Sequence, residues 1–88
     1  MRCTVNIPSP LRSYTAGVAS VAAEGGTLEE VFTSLERRFA GIRFRVVDEQ
    51  DRIRPHIRLY INSREAHAFS ESVAAGDTIH IVCALSGG

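Results

Sequence analysis

The sequence ends in Ser86-Gly87-Gly88, and this pair of glycines is the feature with the clearest chemical use. A side-chain-free arm that ends in a carboxylate can enter a narrow enzyme tunnel and present its acyl carbon without steric shielding. Glycine also adopts backbone angles that other residues avoid, so the arm can bend inside such a tunnel. The alternative is an ordinary frayed end, since chain termini are usually poorly ordered. The rest of the sequence has to separate these two interpretations.

The other residue types that perform chemistry are scattered along the chain. His56, His67 and His80 show no HxH or HxxxH spacing, so we expect no metal site and no catalytic residue. Cys3 and Cys83 each lie inside an apolar alternation without CxxC spacing, which is typical of small buried hydrophobic residues. Isolated cysteines favour a reducing compartment, and we therefore expect a cytoplasmic protein.

The composition indicates one small domain and argues against some partners. The 88 residues, 44% of them hydrophobic, allow a single core, so we assign residues 1–85 to the domain and 86–88 to the tail. Ten basic residues balance ten acidic ones, which argues against nucleic acid as a partner. No segment resembles a signal peptide or reaches the length of a membrane span, so we expect no membrane partner. Acids interrupt the arginines between 43 and 58, which favours a solvated, salt-bridged edge over an RNA-binding patch.

The first part of the chain predicts a hairpin. Residues 3–7 alternate apolar and polar side chains, which indicates a half-buried strand. Proline at position 8 ends this strand because it cannot donate a ladder hydrogen bond. After a turn over residues 11–15, residues 17–22 predict a second and weaker strand.

An amphipathic helix is predicted next. Thr27 and Glu30 fit a capping box, in which the threonine caps the helix and the glutamate lies three residues later. Apolar residues at helical spacing follow, which places one stripe against a core. These residues are Leu28, Val31, Phe32, Leu35 and Phe39. We expect the helix to stop at Gly41.

The second half of the chain predicts further strands. Apolar residues at 42, 44 and 46 alternate with arginine, which suggests a short strand or extended segment, and residues 48–52 suggest a charged loop. Residues 57–61 predict a strand that ends at Asn62-Ser63. Residues 64–75 are expected to be irregular, with Phe69 and Val73 in the core. Gly76-Asp77 then turns the chain into a last strand over residues 79–83.

This order of elements predicts an α+β fold of the β-grasp type. A helix that follows a hairpin can cover one face of a sheet, and the later strands complete that sheet. The fold is then a mixed sheet covered by one main helix, in which the first and last strands are parallel neighbours. Cys3 and Cys83 would lie at opposite ends of the sheet, which excludes a disulfide between them.

With these elements and a Gly-Gly end, the chain resembles the MoaD/ThiS-type sulfur carriers, which have a ubiquitin-like fold. The most specific stretch runs from Ala75 to Gly88 and consists of a Gly-Asp turn, a hydrophobic strand, a short linker and the terminal glycines. The chain departs from many members in the linker, where Cys83-Ala84 replaces proline.

Within that family the chain is most similar to the carriers for cysteine biosynthesis. The supporting residues are Ile7-Pro8 with Leu11-Arg12, Gly41-Ile42, and the insert that runs from Asp48 to Ile61-Asn62. The thiamine carriers are shorter and lack such an insert.

The resemblance implies that Gly88 is the reactive residue, at the end of a flexible tail formed with Ser86 and Gly87. In this family an E1-like adenylyltransferase uses ATP and magnesium to adenylate the terminal carboxylate. Sulfide or a persulfide then displaces AMP, and the product is a thiocarboxylate. In the cysteine branch this sulfur attacks an aminoacrylate on a cysteine synthase-type enzyme that contains pyridoxal phosphate. A metalloprotease then releases the amino acid. The carrier would bind no cofactor itself and would be a cosubstrate rather than an enzyme.

A partner must also recognise the folded domain. His80 and Val82 on the last strand are expected to point away from the helix, as are Tyr60 and Arg58 on the neighbouring strand, where Arg58 could pair with an acidic partner loop. An apolar and aromatic cluster on an exposed sheet face often marks an interface. Ordinary exposure of a few apolar groups is the alternative.

Two other functions fit the same tail. The chain could be the small subunit of molybdopterin synthase, which inserts its tail into the large catalytic subunit. It could also be a ubiquitin-like modifier that is attached to protein lysines.

Overall fold

The structure of the protein is a computed structural model, in which residues 2–84 are described. In this range the strands are β1 (Arg2–Asn6), β2 (Ser20–Glu24), β3 (Ile57–Ile61), β4 (Arg64–Ala66) and β5 (Thr78–Cys83). The helices are α1 (Leu28–Arg38) and α2 (Ile42–Val46), and a 3₁₀ helix covers Ser9–Thr15. The predicted tail, residues 86–88, lies outside the described residues. None of the helices within residues 2–84 is long and apolar enough to cross a membrane.

The strands form one mixed sheet in the order β2-β1-β5-β3-β4. The first and last strands, β1 and β5, are parallel neighbours, and the other pairs are antiparallel. This arrangement confirms the predicted α+β fold of the β-grasp type and its opening hairpin. The second strand covers residues 20–24 rather than 17–22. Its position is set by pairing with β1, in which Ser20 lies opposite Asn6.

Helix α1 covers one face of the sheet and begins with the predicted capping box. The Glu30 N–H donates to the Thr27 hydroxyl at 3.2 Å, while the Glu30 carboxylate accepts from the Gly26 N–H at 2.7 Å, one residue before the cap. The apolar stripe is buried as predicted, with Phe39 partly buried at the end of the helix; the fully buried residues are Leu28, Val31, Phe32 and Leu35. Gly25 allows the backbone before α1 to lie close to the first turn of the helix, because a Cβ at this position would lie only 2.6 Å from the Val31 nitrogen.

The prediction of a strand over residues 42–46 is wrong, since this segment is the short helix α2. Ile42 and Val46 are fully buried, whereas Phe44 is 53% exposed. The two buried residues are four positions apart, which is the spacing of one helix face rather than of one strand face.

The reason lies in a carboxylate that precedes the segment. Glu36, in the last turns of α1, accepts hydrogen bonds from the Gly41 N–H at 2.7 Å and from the Arg43 N–H at 3.0 Å. These donors would otherwise be unsatisfied at the start of a helix. Gly41 connects the two helices with a φ of +97°, a left-handed conformation that favours glycine. The alternation of apolar residues over 42–46 gives no indication of this cap.

The segment predicted to be irregular, residues 64–75, contains the three-residue strand β4. It pairs with β3 through a tight turn in which Asn62 has a φ of +58°, a conformation that asparagine tolerates better than most residues. The predicted core anchors are confirmed: Phe69 and Val73 are 5% and 2% exposed, and the Phe69 ring lies 5.5 Å from the Phe32 ring.

The charged loop before β3 is confirmed as a turn stabilised by its own side chains. The Asp48 carboxylate accepts from the N–H groups of Gln50 and Arg52 at 2.9 and 3.0 Å. The Arg52 side chain lies 3.3 Å from the same carboxylate, and Arg43 pairs with Asp51 at 2.7 Å. These contacts agree with a salt-bridged edge.

Candidate docking surface

The sheet has one face under α1 and one open face. Along β5, Ile79 and Ile81 are buried in the core, while the alternate residues His80 and Val82 lie on the open face. The same alternation buries the odd-numbered residues of β3 (Ile57, Leu59 and Ile61). The side chains of Arg58 and Tyr60 therefore share the open face with those of His80 and Val82.

The structure brings the four predicted docking residues together. Tyr60 lies directly opposite His80 in the antiparallel register, and Arg58 lies directly opposite Val82. Directly opposed residues have Cβ atoms about 4.5–5.5 Å apart. We call this block of four residues the open-face patch. Val82 is 44% exposed and gives the patch an apolar element.

Sequence reasoning missed the residues that extend the patch across the sheet. In register, Ser20, Asn6, His80, Tyr60 and Glu65 form one row across all five strands. The Asn6 side-chain amide lies 3.1 Å from the His80 Nδ1, within hydrogen-bonding distance. The alternation along β1 identifies Asn6 as a polar residue of that strand. Its position beside His80 depends on the parallel register of β1 and β5, which the local sequence does not indicate.

Arg58 already has a partner beside the patch, on β4. Its Nε lies 3.6 Å from a Glu65 carboxylate oxygen, and the two side chains are 57% and 34% exposed. An exposed ion pair of this kind contributes only about 0.2–1 kcal/mol. A carboxylate on a partner can therefore compete for Arg58, at the cost of this contact with Glu65.

The end of the patch leads into the tail. Strand β5 is held between β1 and β3, and the Ala84 N–H donates to the His56 carbonyl at 2.8 Å just after the strand ends. The predicted reactive residue Gly88, with Gly87 and Ser86, lies outside the described residues. Its role stays a prediction.

The two cysteines are free thiols at opposite ends of the sheet, as predicted. Burial raises the pKa of the Cys3 thiol, and the negative charge of Asp77 raises it further. Burial also raises the pKa of the Cys83 thiol, although the positive charge of Arg45 opposes that rise. Both effects of burial favour the thiol over the nucleophilic thiolate. Among residues 2–84, no group of three or more His, Cys, Asp or Glu residues could hold a metal ion.

Comparison with known proteins gives matches over almost the whole chain. The model of the ThiS family matches residues 5–88. Sulfur carrier protein CysO of Mycobacterium tuberculosis is 34% identical over 93 aligned residues, which cover 100% of both chains. A chain in the crystal structure of the Amycolatopsis orientalis BexX/CysO complex superimposes with a TM-score of 0.90 at 37% identity, covering 98% of this chain and 99% of that one. The crystal structure of Mycobacterium tuberculosis CysO matches with a TM-score of 0.88 at 32% identity, over 94% and 99% of the two chains.

Proposed function

This chain belongs to the ThiS family, and we propose that it is a sulfur carrier that takes up sulfur as a thiocarboxylate on Gly88. The observation that carries the proposal is the match to Sulfur carrier protein CysO over the full length of both chains. Both the family match and this full-length match extend through Gly88, which supports the interpretation of the Gly-Gly end as a reactive arm.

The chemistry requires activation of the carboxylate by another enzyme. A free carboxylate is a poor electrophile, because its charge repels nucleophiles and oxide is a poor leaving group. An E1-like enzyme would transfer AMP from magnesium-bound ATP to the Gly88 carboxylate and release pyrophosphate. Sulfide would then attack the acyl carbon and displace AMP, which leaves the thiocarboxylate. The ATP and magnesium belong to that enzyme, and this chain would supply only the acyl group.

The acceptor we propose is a cysteine synthase-type enzyme. The thiocarboxylate sulfur would add to the β-carbon of an enzyme-bound aminoacrylate, and the resulting thioester would rearrange to an amide by acyl transfer from sulfur to nitrogen. A metalloprotease would hydrolyse that amide and release cysteine. The similarity to the CysO proteins supports this branch, and the BexX/CysO complex supports docking of such a chain on a partner protein.

The open-face patch would bind the acceptor while the tail enters its active site. One strand, β5, provides both parts, since His80 and Val82 lie on its open side and residues 85–88 continue from its end. The Tyr60 ring would supply apolar contact area and a polar hydroxyl, a combination that is common at interfaces.

Intact-mass measurement of the protein purified from its native host tests the proposal. We expect a fraction whose mass corresponds to replacement of one oxygen by sulfur, and fragmentation should place the sulfur on Gly88. A variant that lacks Gly88 is the matched control and should show no such fraction. If the cognate E1-like enzyme adenylates that shortened variant equally well, the proposed reaction site is wrong.

The acceptor is tested by offering the thiocarboxylate form to purified enzymes. We expect an adduct with the mass of the carrier plus cysteine after incubation with the cysteine synthase-type enzyme and its aminoacrylate. Sulfur loss only to a molybdopterin synthase large subunit would contradict the cysteine branch. Isopeptide adducts in cell extract without this transfer would favour a modifier.

A further inference from the structure

A second surface lies at the end of the sheet where β5 finishes. It is formed by two arginines that each stack on an aromatic ring, and we call it the arginine–aromatic face. The Arg54 guanidinium carbon lies 4.4 Å from the centre of the Phe44 ring, and the Arg45 carbon lies 5.9 Å from the centre of the Tyr14 ring. Helix α2 supplies Phe44 and Arg45, and the segment before β3 supplies Arg54.

The arrangement of Arg54 is fixed by backbone contacts. Its Nε donates to the Phe44 carbonyl at 2.7 Å, and its N–H donates to the Val46 carbonyl at 3.0 Å. Phe44 remains 53% exposed under this guanidinium, a high value for a large apolar side chain. The exposed ring and the stacked cation together give a patch that is both apolar and positively charged.

Arg45 and Arg54 also differ from the neighbouring arginines, which form ion pairs with carboxylates. Within residues 2–84 five arginines form ion pairs with carboxylates, whereas neither Arg45 nor Arg54 does so. In the adjacent loop, Asp48 and Asp51 are paired with other arginines, and Glu49 is exposed. The positive charge of this face is therefore largely uncompensated by the described part of the chain.

The face is adjacent to the base of the tail. The Ala84 N–H donates to the carbonyl of His56, which lies two residues after Arg54. The positive charge of Arg45 acts on the Cys83 thiol at the end of β5. Any protein that encloses residues 85–88 would approach these side chains.

We infer that the arginine–aromatic face binds an acidic segment of the protein that receives the tail, with carboxylates on Arg45 and Arg54 and an apolar side chain against Phe44. The inference rests on the proposed function, because that function requires a protein to receive the tail. Charge complementarity is the argument for an acidic occupant. The Arg54 guanidinium is held over the Phe44 ring by the hydrogen bond of its Nε to the Phe44 carbonyl, and its planar set of N–H donors suits two-point binding of a carboxylate. Stacking also limits the side-chain entropy that binding removes.

The test is a titration of the ¹⁵N-labelled full chain, followed by nuclear magnetic resonance. The probe is a blocked peptide of glutamate and phenylalanine, and the reference probe has glutamine in place of every glutamate. We expect the acidic probe to shift the signals of Tyr14, Phe44, Arg45 and Arg54, and the reference probe to leave them unchanged. Addition of salt should weaken the binding of the acidic probe.

Two double variants test which arginines bind the acidic probe. The double variant Arg45→Gln and Arg54→Gln should bind the acidic probe about fivefold more weakly, the loss expected for two exposed charge pairs. The control, Arg2→Gln with Arg37→Gln, removes the same charge elsewhere and should bind within about twofold of the original protein. The spectrum of each variant reports whether the fold is intact, and Arg45→Gln alone serves if the double variant does not fold.

Three results would overturn the inference: equal weakening in both double variants, no shifts with the acidic probe, or shifts of these signals with ATP but not with the probe. The last would indicate a phosphate site instead. The sulfur chemistry is measured separately by intact mass. If the probe binds but no thiocarboxylate is found, the arginine–aromatic face is supported as a binding surface and the carrier function is rejected. If a thiocarboxylate is found but the probe does not bind, the carrier function is supported and the inference about this face is rejected.

Discussion

Replacement of Val82 by threonine tests whether the open-face patch is a docking surface. Threonine keeps the shape and the strand preference of valine but replaces a methyl group with a hydroxyl. Val82 is 44% exposed, so docking can bury at most that fraction of its side chain. Complete burial of a valine side chain contributes about 1.5–3 kcal/mol, and 44% of this is about 0.7–1.3 kcal/mol.

This free energy corresponds to a dissociation constant that rises about threefold to ninefold. Isothermal titration calorimetry of the protein against the proposed cysteine synthase-type acceptor measures the change directly. The folded domain should be unaffected, because substitutions at exposed positions usually change stability by less than about 0.5 kcal/mol. Urea denaturation of the variant checks that point.

Val18→Thr is the matched control, since Val18 is 45% exposed but lies in the loop before β2 rather than in the patch. We expect Val18→Thr to bind the acceptor as the original protein does. Equal weakening in the two variants would show that the loss comes from general surface hydrophobicity. No weakening in Val82→Thr, with the acceptor active and the thiocarboxylate present, would refute the assignment of the patch.

Three further substitutions test how the fold is held. Gly25→Ala should lower the free energy of unfolding by about 2 kcal/mol or more, because the new Cβ would lie 2.6 Å from the Val31 nitrogen. Glu36→Ala should lower it by about 1–2 kcal/mol, since α2 loses the acceptor for two N–H groups; urea denaturation measures both. Asp77→Asn should weaken the acid sensitivity of folding. Two hydrogen bonds lower the pKa of the Asp77 carboxyl below its ordinary value of 3.8; the Ala74 N–H has the larger effect and the Asn62 side-chain amide the smaller. The ionised carboxylate therefore stabilises the fold above pH 3.8, and this stabilisation is lost as the pH falls through the lowered pKa.

Two of these expectations have a matching control variant, and the third has an outcome that would contradict it. Gly17 has a φ of +85° and nothing within 4 Å of an added Cβ, so Gly17→Ala should cost only the backbone strain of about 1–2 kcal/mol. A larger loss at Gly17 than at Gly25 would contradict the steric argument. Glu49→Ala, at an exposed loop position, should leave stability unchanged. For Asp77→Asn, urea midpoints that fall with acid as steeply as in the original protein would show that other carboxylates control the transition.

Helix α1 and the central strands could be predicted because their signals are local. The Thr27 cap, the apolar stripe of the helix and the alternation along β5 each lie within one continuous segment. The second helix could not, because Ile42, Phe44 and Val46 fit a strand by alternation, and the deciding contact is the Glu36 carboxylate in the preceding helix. Strand β4 was missed for a related reason, since its three residues have little strand preference and pair with β3 through the Asn62 turn.

The positions of the four open-face residues were predicted and those of their neighbours were not. Alternation along β3 and β5 was enough to place Tyr60, Arg58, His80 and Val82 on one face. The ion pair of Arg58 with Glu65 requires the pairing of β3 with β4, and β4 was not foreseen. The arginine–aromatic face required α2 to be helical, since only then do Ile42 and Val46 turn into the core while Phe44 remains exposed.

The distance between the patch and Gly88 constrains any acceptor. Residues 85–88 are four in number, and a fully extended chain spans at most about 3.3–3.6 Å per residue, or about 14 Å in total. Since β5 pairs with β3 as far as Cys83 and the next N–H donates to the His56 carbonyl, the start of this span is fixed relative to the open-face patch. An acceptor that binds the open-face patch must therefore receive the Gly88 Cα within about 14 Å of the Ala84 Cα. Under the proposed function, the folded domain would act on the chemistry by positioning, because the sheet would set where Gly88 of the docked carrier delivers its sulfur.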